Sequence, residues 1–186
     1  MEALFTSIGI VALAEVGDKT QLLSLALASR YRKPWPIIAG ILVATLLNHA
    51  LAGALGAWVA GLFTPQTLRW VLAASFFAMA AWILVPDKLD AGARGSGRFG
   101  VFAATTLAFF IVEMGDKTQI ATVALAARYS ELAVVVGGTT LGMLVANAPV
   151  VVLGERLMKH LPVKTVHRVA AGVFLALGVA VLLSAA

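Results

Sequence analysis

Two short stretches hold the charge that lies away from the loops and termini of this chain. Residues 15–21 read EVGDKTQ and residues 113–119 read EMGDKTQ, and apolar runs flank both. Each stretch supplies a glutamate and an aspartate, Glu15 with Asp18 and Glu113 with Asp116, followed by Lys19 or Lys117. On a continuous helix, residues three apart share a face, so each stretch is expected to present a carboxylate pair. Four carboxylates at one site make a set of hard oxygen ligands, the kind that suits Ca²⁺, Mn²⁺ or Mg²⁺. The chain has no cysteine, and neither stretch holds a histidine, which argues against a site built for soft ions.

Neutral oxygens are available to complete a coordination shell. Thr20, Gln21, Thr118 and Gln119 lie in the stretches, and Asn48 and Asn147 lie on other apolar runs. Pro149 removes the helical partner of the Val145 carbonyl and so offers a further oxygen. Gly17 and Gly115 precede the aspartates, where each loosens the helix or admits close backbone approach. His49 reads as an interhelical hydrogen-bond partner, with a ligand role as the alternative. The lysines admit three roles: pairing with an aspartate, lining a pathway or holding helices together. A plainer account makes Glu15–Lys19 and Glu113–Lys117 intrahelical salt bridges at a spacing of four. It leaves Asp18 and Asp116 without partners and gives no reason for the repetition.

Four carboxylates and two charged lysines sum to −2, a costly charge inside hydrocarbon. One divalent cation neutralises it, and so do two protons. The expected chemistry is therefore exchange of a divalent cation for protons, with neither acting as a resident cofactor.

The surrounding elements are read as membrane spans. Of the 186 residues 61% are hydrophobic and 12% charged, with a mean hydropathy of +0.96. A soluble domain is nearer half apolar and a quarter charged. The apolar runs fall at about 4–29, 37–61, 67–85, 100–127, 132–154 and 166–185, each near the length that crosses a bilayer. The N-terminus lacks the basic region of a signal peptide and reads as the start of the first span. No alternating ten-residue segments suggest a β-barrel. The expected fold is an all-α integral membrane protein of six transmembrane helices. Glu15 then lies about twelve residues into its helix, or roughly 18 Å, near mid-membrane.

A shift of 98 residues superimposes one half of the chain on the other. Residues 15–31 and 113–129 share 11 of 17 positions, and the shift also pairs Gly40 with Gly138 and Phe76 with Phe174. The units are a first three-helix repeat over 1–86, a glycine-rich linker over 87–99 and a second repeat over 100–186. Because three is odd, the second repeat enters the membrane from the opposite side, an inverted arrangement common among transporters. Ten basic residues (Arg30, Arg32, Lys33, Lys88, Arg94, Arg98, Arg156, Lys159, Lys164 and Arg168) fall in or beside loops one, three and five. Only Arg69 and Arg128 fall in or beside loops two and four. Basic loops stay cytoplasmic, which places both termini outside the cytoplasm. The net charge of +5 is thus explained by topology, and no nucleic-acid partner is expected. The expected partners are metal ions and the lipid bilayer. Trp35, Trp58 and Trp70 lie near span ends, where tryptophans anchor at the interface.

The paired stretches resemble the E-x-G-D-K/R-S/T signature of a family of membrane cation/proton antiporters. That family includes bacterial manganese exporters of the MneA type and Golgi calcium/manganese transporters of the Gdt type. The resemblance covers the whole chain, with one motif in the first span of each half. It implies that Glu15, Asp18, Glu113 and Asp116 are the essential acids, that Lys19, Thr20, Lys117 and Thr118 complete the motif, and that Mn²⁺ or Ca²⁺ leaves the cytoplasm against protons. The linker is short, basic and rich in glycine, unlike the longer, often acidic linker of eukaryotic members. This points to a bacterial inner-membrane protein. The competing readings are an exporter of another small cationic solute, a cation channel and an intramembrane enzyme. The enzyme reading lacks an arginine at depth and an H-E-x-x-H zinc motif.

Overall fold

Apolar runs separated by proline and glycine fold here into helices, with no strand among the described residues. The computed structural model describes residues 1–85, 100–154, 156, 160 and 162–184. Its helices are α1 (Glu2–Glu15), α2 (Lys19–Tyr31), α3 (Pro34–Ala60), α4 (Pro65–Trp82), α5 (Val101–Glu113), α6 (Lys117–Arg128), α7 (Leu132–Leu153) and α8 (Val163–Leu183). Prolines open α3 and α4, where a missing N–H costs no helical bond. The predicted linker over 87–99 lies outside the described residues.

The structure corrects the expectation that residues 4–29 and 100–127 are continuous helices. Each is two helices joined by a break at the motif, over 16–18 and 114–116. Gly17 and Gly115 adopt φ of +80° and +75°, in the left-handed region that side chains with a Cβ disfavour. Val16 and Met114 before them, and Asp18 and Asp116 after them, are extended. The aspartates therefore do not follow the glutamates on one helix face. They are the N-cap residues of the next helix. Glutamine completes each break: Gly17 N–H donates to Gln21 Oε1 at 2.8 Å and Gly115 N–H to Gln119 Oε1 at 2.7 Å.

The second long helix of each half packs on the first helix of the other half. α3 lies along α5 and α6, α7 lies along α1 and α2, and α4 lies along α8. Small residues make these approaches close. A Cβ on Gly40 would lie 2.7 Å from Thr105 Cβ and 2.9 Å from the Phe102 carbonyl oxygen. A Cβ on Gly138 would lie 2.8 Å from Ser7 Cβ and 3.0 Å from the Leu4 carbonyl oxygen. All three residue numbers in the first set exceed or trail those in the second by 98. Phe76 of α4 meets Phe174 of α8, also 98 apart, with ring centroids separated by 6.4 Å.

α3 shows which solvent this fold suits. Its buried face carries Thr45, Asn48 and His49, while Leu46, Leu47, Leu51 and Leu55 are exposed. Polar residues inside and leucines outside suit lipid and not water. Among the described residues three single helices, Pro34–Ala60, Leu132–Leu153 and Val163–Leu183, are long and apolar enough to cross a membrane. The fold is that of an all-helical membrane protein.

Candidate metal-ion centre

Breaking two helices brings four helix ends to one place. α1 and α5 finish at Glu15 and Glu113, and α2 and α6 begin after Asp18 and Asp116. Helix starts carry partial positive charge and helix ends partial negative charge, so the junction accommodates anionic side chains and a bound cation together. An aspartate at an N-cap ordinarily accepts a hydrogen bond from its own helix. Neither Asp18 nor Asp116 does so.

The carboxylates converge. One ligand oxygen from each of Glu15, Asp18, Glu113 and Asp116 lies within 4.8 Å of all the others. All four residues are buried, with exposures of 0%, 3%, 1% and 4%. Opposite oxygens around a bound ion lie about 4.0–4.2 Å apart for Mg²⁺ and about 4.6–5.2 Å for Ca²⁺. The spread of the four oxygens fits a single coordination sphere. Two unit charges 4.8 Å apart repel by about 3.5 kcal/mol at an effective dielectric of 20. Four ionised carboxylates here require positive charge among them. Glu15 Oε1, Glu113 Oε1 and Asp116 Oδ2 are buried and accept no hydrogen bond among the described residues, which leaves their lone pairs free for a cation.

The other candidates surround this group in distinct roles. Thr20 Oγ1 donates to Glu15 Oε2 at 2.5 Å, and Thr118 Oγ1 donates to Glu113 Oε2 at 3.0 Å. Asn147 Nδ2 also reaches Glu15 Oε2, at 3.4 Å, while its Oδ1 accepts from Ser24. Asn48 Nδ2 donates to the Phe110 carbonyl. Gln21 uses both ends of its amide, accepting from Gly17 and donating to the Ala146 carbonyl. Gln119 accepts from Gly115. Both glutamine oxygens thus hold the breaks together.

Each lysine reaches a group outside its own motif. Lys19 Nζ lies 3.0 Å from Asp116 Oδ1, so it pairs with the other motif and not with Glu15 four residues back. The helix break is the reason: without a continuous helix the spacing of four no longer brings Glu15 and Lys19 together. Lys117 is 2% exposed and donates to the Val85 carbonyl at 3.0 Å. Ser24 and Met143, the latter in contact with Asn147 through its Sδ and carbonyl oxygen, were not singled out in the sequence. Neither carries a charge or belongs to the seven-residue motif.

A family model described as "Divalent cation/proton antiporter GDT1" matches residues 3–91 and 101–186, nearly the whole chain. The chain belongs to this family. As a GDT1-family member it is a transporter and not an enzyme. It is 56% identical over 181 residues to a Vibrio cholerae serotype O1 protein named "Putative manganese exporter", covering 97% of this chain and 90% of that one. "GDT1-like protein 3" of Oryza sativa subsp. indica is 28% identical over 204 residues, covering 96% and 72%. "GDT1-like protein 3" of Arabidopsis thaliana is 28% identical over 205 residues, covering 96% and 69%. No solved structure matches the chain.

Proposed function

We propose that this protein exports a divalent cation, Mn²⁺ foremost with Ca²⁺ as the alternative, in exchange for protons. The observation that carries the reading is the convergence of four buried carboxylates, two from each motif, within 4.8 Å. The 56% identity to a protein named as a manganese exporter favours Mn²⁺. The cation binds Glu15, Asp18, Glu113 and Asp116 as cargo. On release, two protons replace it on the same carboxylates. With both lysines charged the count is −2, so one divalent ion or two protons restore neutrality, and the proposed exchange ratio is two protons per ion.

The reading includes six spans arranged as two inverted repeats, with the broken first and fourth spans meeting near mid-membrane. Basic loops then face the cytoplasm and both termini lie outside, in a bacterial inner membrane. Exchange requires the centre to open to one side at a time. The uneven cover of the two breaks supports this: Val163 and His167 of α8 lie against the first, while Met114 and Gly115 of the second are exposed.

The test is cation flux in proteoliposomes under an imposed pH gradient, comparing Mn²⁺, Ca²⁺ and Mg²⁺. Mn²⁺ movement should follow the gradient and disappear in Asp18→Asn and Asp116→Asn. Flux indifferent to the gradient would mark a channel, and coupled flux surviving both substitutions would remove the carboxylate centre from the mechanism.

A further inference from the structure

Asn147 and His49 occupy equivalent places, separated by 98 residues, on α7 and α3. The helices beneath them match in register. Gly138 of α7 sits on Leu4 and Ser7 of α1, and Gly40 of α3 sits on Phe102 and Thr105 of α5. From there, nine residues lead to Asn147 and nine to His49. On the α7 side this register brings Asn147 to Glu15. On the α3 side the neighbouring Asn48 donates to the Phe110 carbonyl, less than one helical turn before Glu113, so His49 lies level with that acid.

The hydrogen bonds differ where the register agrees. Glu15 Oε2 accepts from both Thr20 and Asn147. Glu113 Oε2 accepts from Thr118, and Glu113 Oε1 is buried without a partner. His49 is 0% exposed, and neither of its ring nitrogens has a partner among the described residues. Thr45, four residues earlier on the same helix, also has a buried hydroxyl without a partner. Its counterpart Met143 reaches Asn147 Nδ2 through its sulfur at 3.0 Å, so this position can touch the side chain four residues on.

We propose that His49 is the positioning residue for Glu113, taking the part that Asn147 takes for Glu15. A neutral imidazole has one donor and one acceptor. When the centre is loaded, one ring N–H donates to Glu113 and the other nitrogen accepts from the Thr45 hydroxyl. The arrangement gives partners to both ring nitrogens of His49 and to the Thr45 hydroxyl, which otherwise lack them, and unmet buried groups are costly. It fixes the orientation of a cargo ligand from outside the coordination sphere. The role rests on the proposed cation site and adds a residue to it.

The experiment measures Mn²⁺ affinity by calorimetry on purified protein, together with KM and maximal rate for Mn²⁺ in proteoliposomes. His49→Phe, which keeps the ring volume and removes both nitrogens, should weaken affinity by about 10- to 100-fold, the usual effect of losing an outer partner of a metal ligand. The loss should appear mainly in KM. His49→Asn, which installs the counterpart's own donor, should recover most of the affinity. A His49→Phe protein that binds Mn²⁺ like the wild type would overturn the proposal. So would a folded, monodisperse His49→Asn protein as weak as His49→Phe. Wild-type protein and Asp116→Asn separate the two levels. If wild type binds no Mn²⁺, the cation reading fails and this role falls with it. If wild type binds, Asp116→Asn does not and the His49 variants are indifferent, only this role is wrong.

Discussion

A Cβ built on Gly17 would clash with Val163 Cγ1, whereas one built on Gly115 meets nothing within 4 Å among the described residues. His167 also bonds the Val16 carbonyl at 2.6 Å, while Met114, the counterpart of Val16, is 53% exposed. The two breaks have the same motif, closely similar backbone angles and the same glycine–glutamine bond. What differs is the cover. Under the shift of 98, Val163 and His167 of α8 correspond to Pro65 and Arg69 of α4. Those two residues lie elsewhere, on a cavity of about 500 Å³ that Glu2, Arg128 and Tyr129 also line. A repeated sequence thus repeats local geometry, and the packing of α4 and α8 makes the two copies unequal.

The largest effects should come from the part the copies share. Glu15→Gln and Glu113→Gln are each expected to lower Mn²⁺ affinity by more than about 100-fold, beyond the usual cost of an outer-shell change. Calorimetry on the purified variants checks this, and a large loss in only one would show that the copies contribute unequally to the centre. Lys19→Gln should act in the opposite direction. Its ammonium lies 3.0 Å from Asp116 and opposes an incoming cation. A unit charge about 4 Å from a divalent ion contributes roughly 2 kcal/mol even at the dielectric of water, so binding should tighten by up to about 30-fold. Because Lys19 is partly exposed, solvent screening reduces that figure. Unchanged or weaker binding would mean that the lysine supports the loaded site.

The cover itself is tested by glycine substitution. Gly115→Ala should cost about 1–2 kcal/mol, the usual penalty for a left-handed residue with a Cβ. Gly17→Ala meets that penalty and the Val163 clash as well. Thermal unfolding in detergent should rank it as the less stable variant, and Val163→Ala should restore part of the loss. Equal losses would remove the contrast. The smallest perturbation is a cysteine scan, for which the chain provides a cysteine-free background. Met114→Cys should react quickly with a polar maleimide, and Val16→Cys should react slowly beneath α8. Equal rates would mean that the two breaks are equally accessible in solution.

The repeated stretch was legible because four acids in apolar surroundings stand out by composition alone, and because the same seven-residue pattern occurs twice. The break was only partly legible. Gly17 and Gly115 were recognisable as points of backbone freedom, yet a glycine in an apolar run is equally compatible with a continuous helix. The plainer account, which paired Glu15 with Lys19, fails for that reason, and Lys19 pairs with an aspartate instead. Gln21 and Gln119 were legible as neutral oxygens beside the acids, while their bonds to Gly17 and Gly115 arise only where the helix breaks and frees a glycine N–H. His49 and Asn147 drew notice as polar residues in spans. Their relation to Glu113 and Glu15 depends on the register of α3 on α5 and of α7 on α1, which is set by contacts about 60 to 130 residues apart in the chain.

By itself the sequence determined the helical membrane class, the family, the duplication and the identity of the four acids. Those properties follow from hydropathy, composition and local spacing, which the chain carries residue by residue. The tertiary structure decided that the four carboxylates meet, that Lys19 answers Asp116 across the two halves, and that one break is covered while its copy is exposed. Each of these joins atoms far apart in the chain, and only helix packing at close glycine contacts fixes their separation.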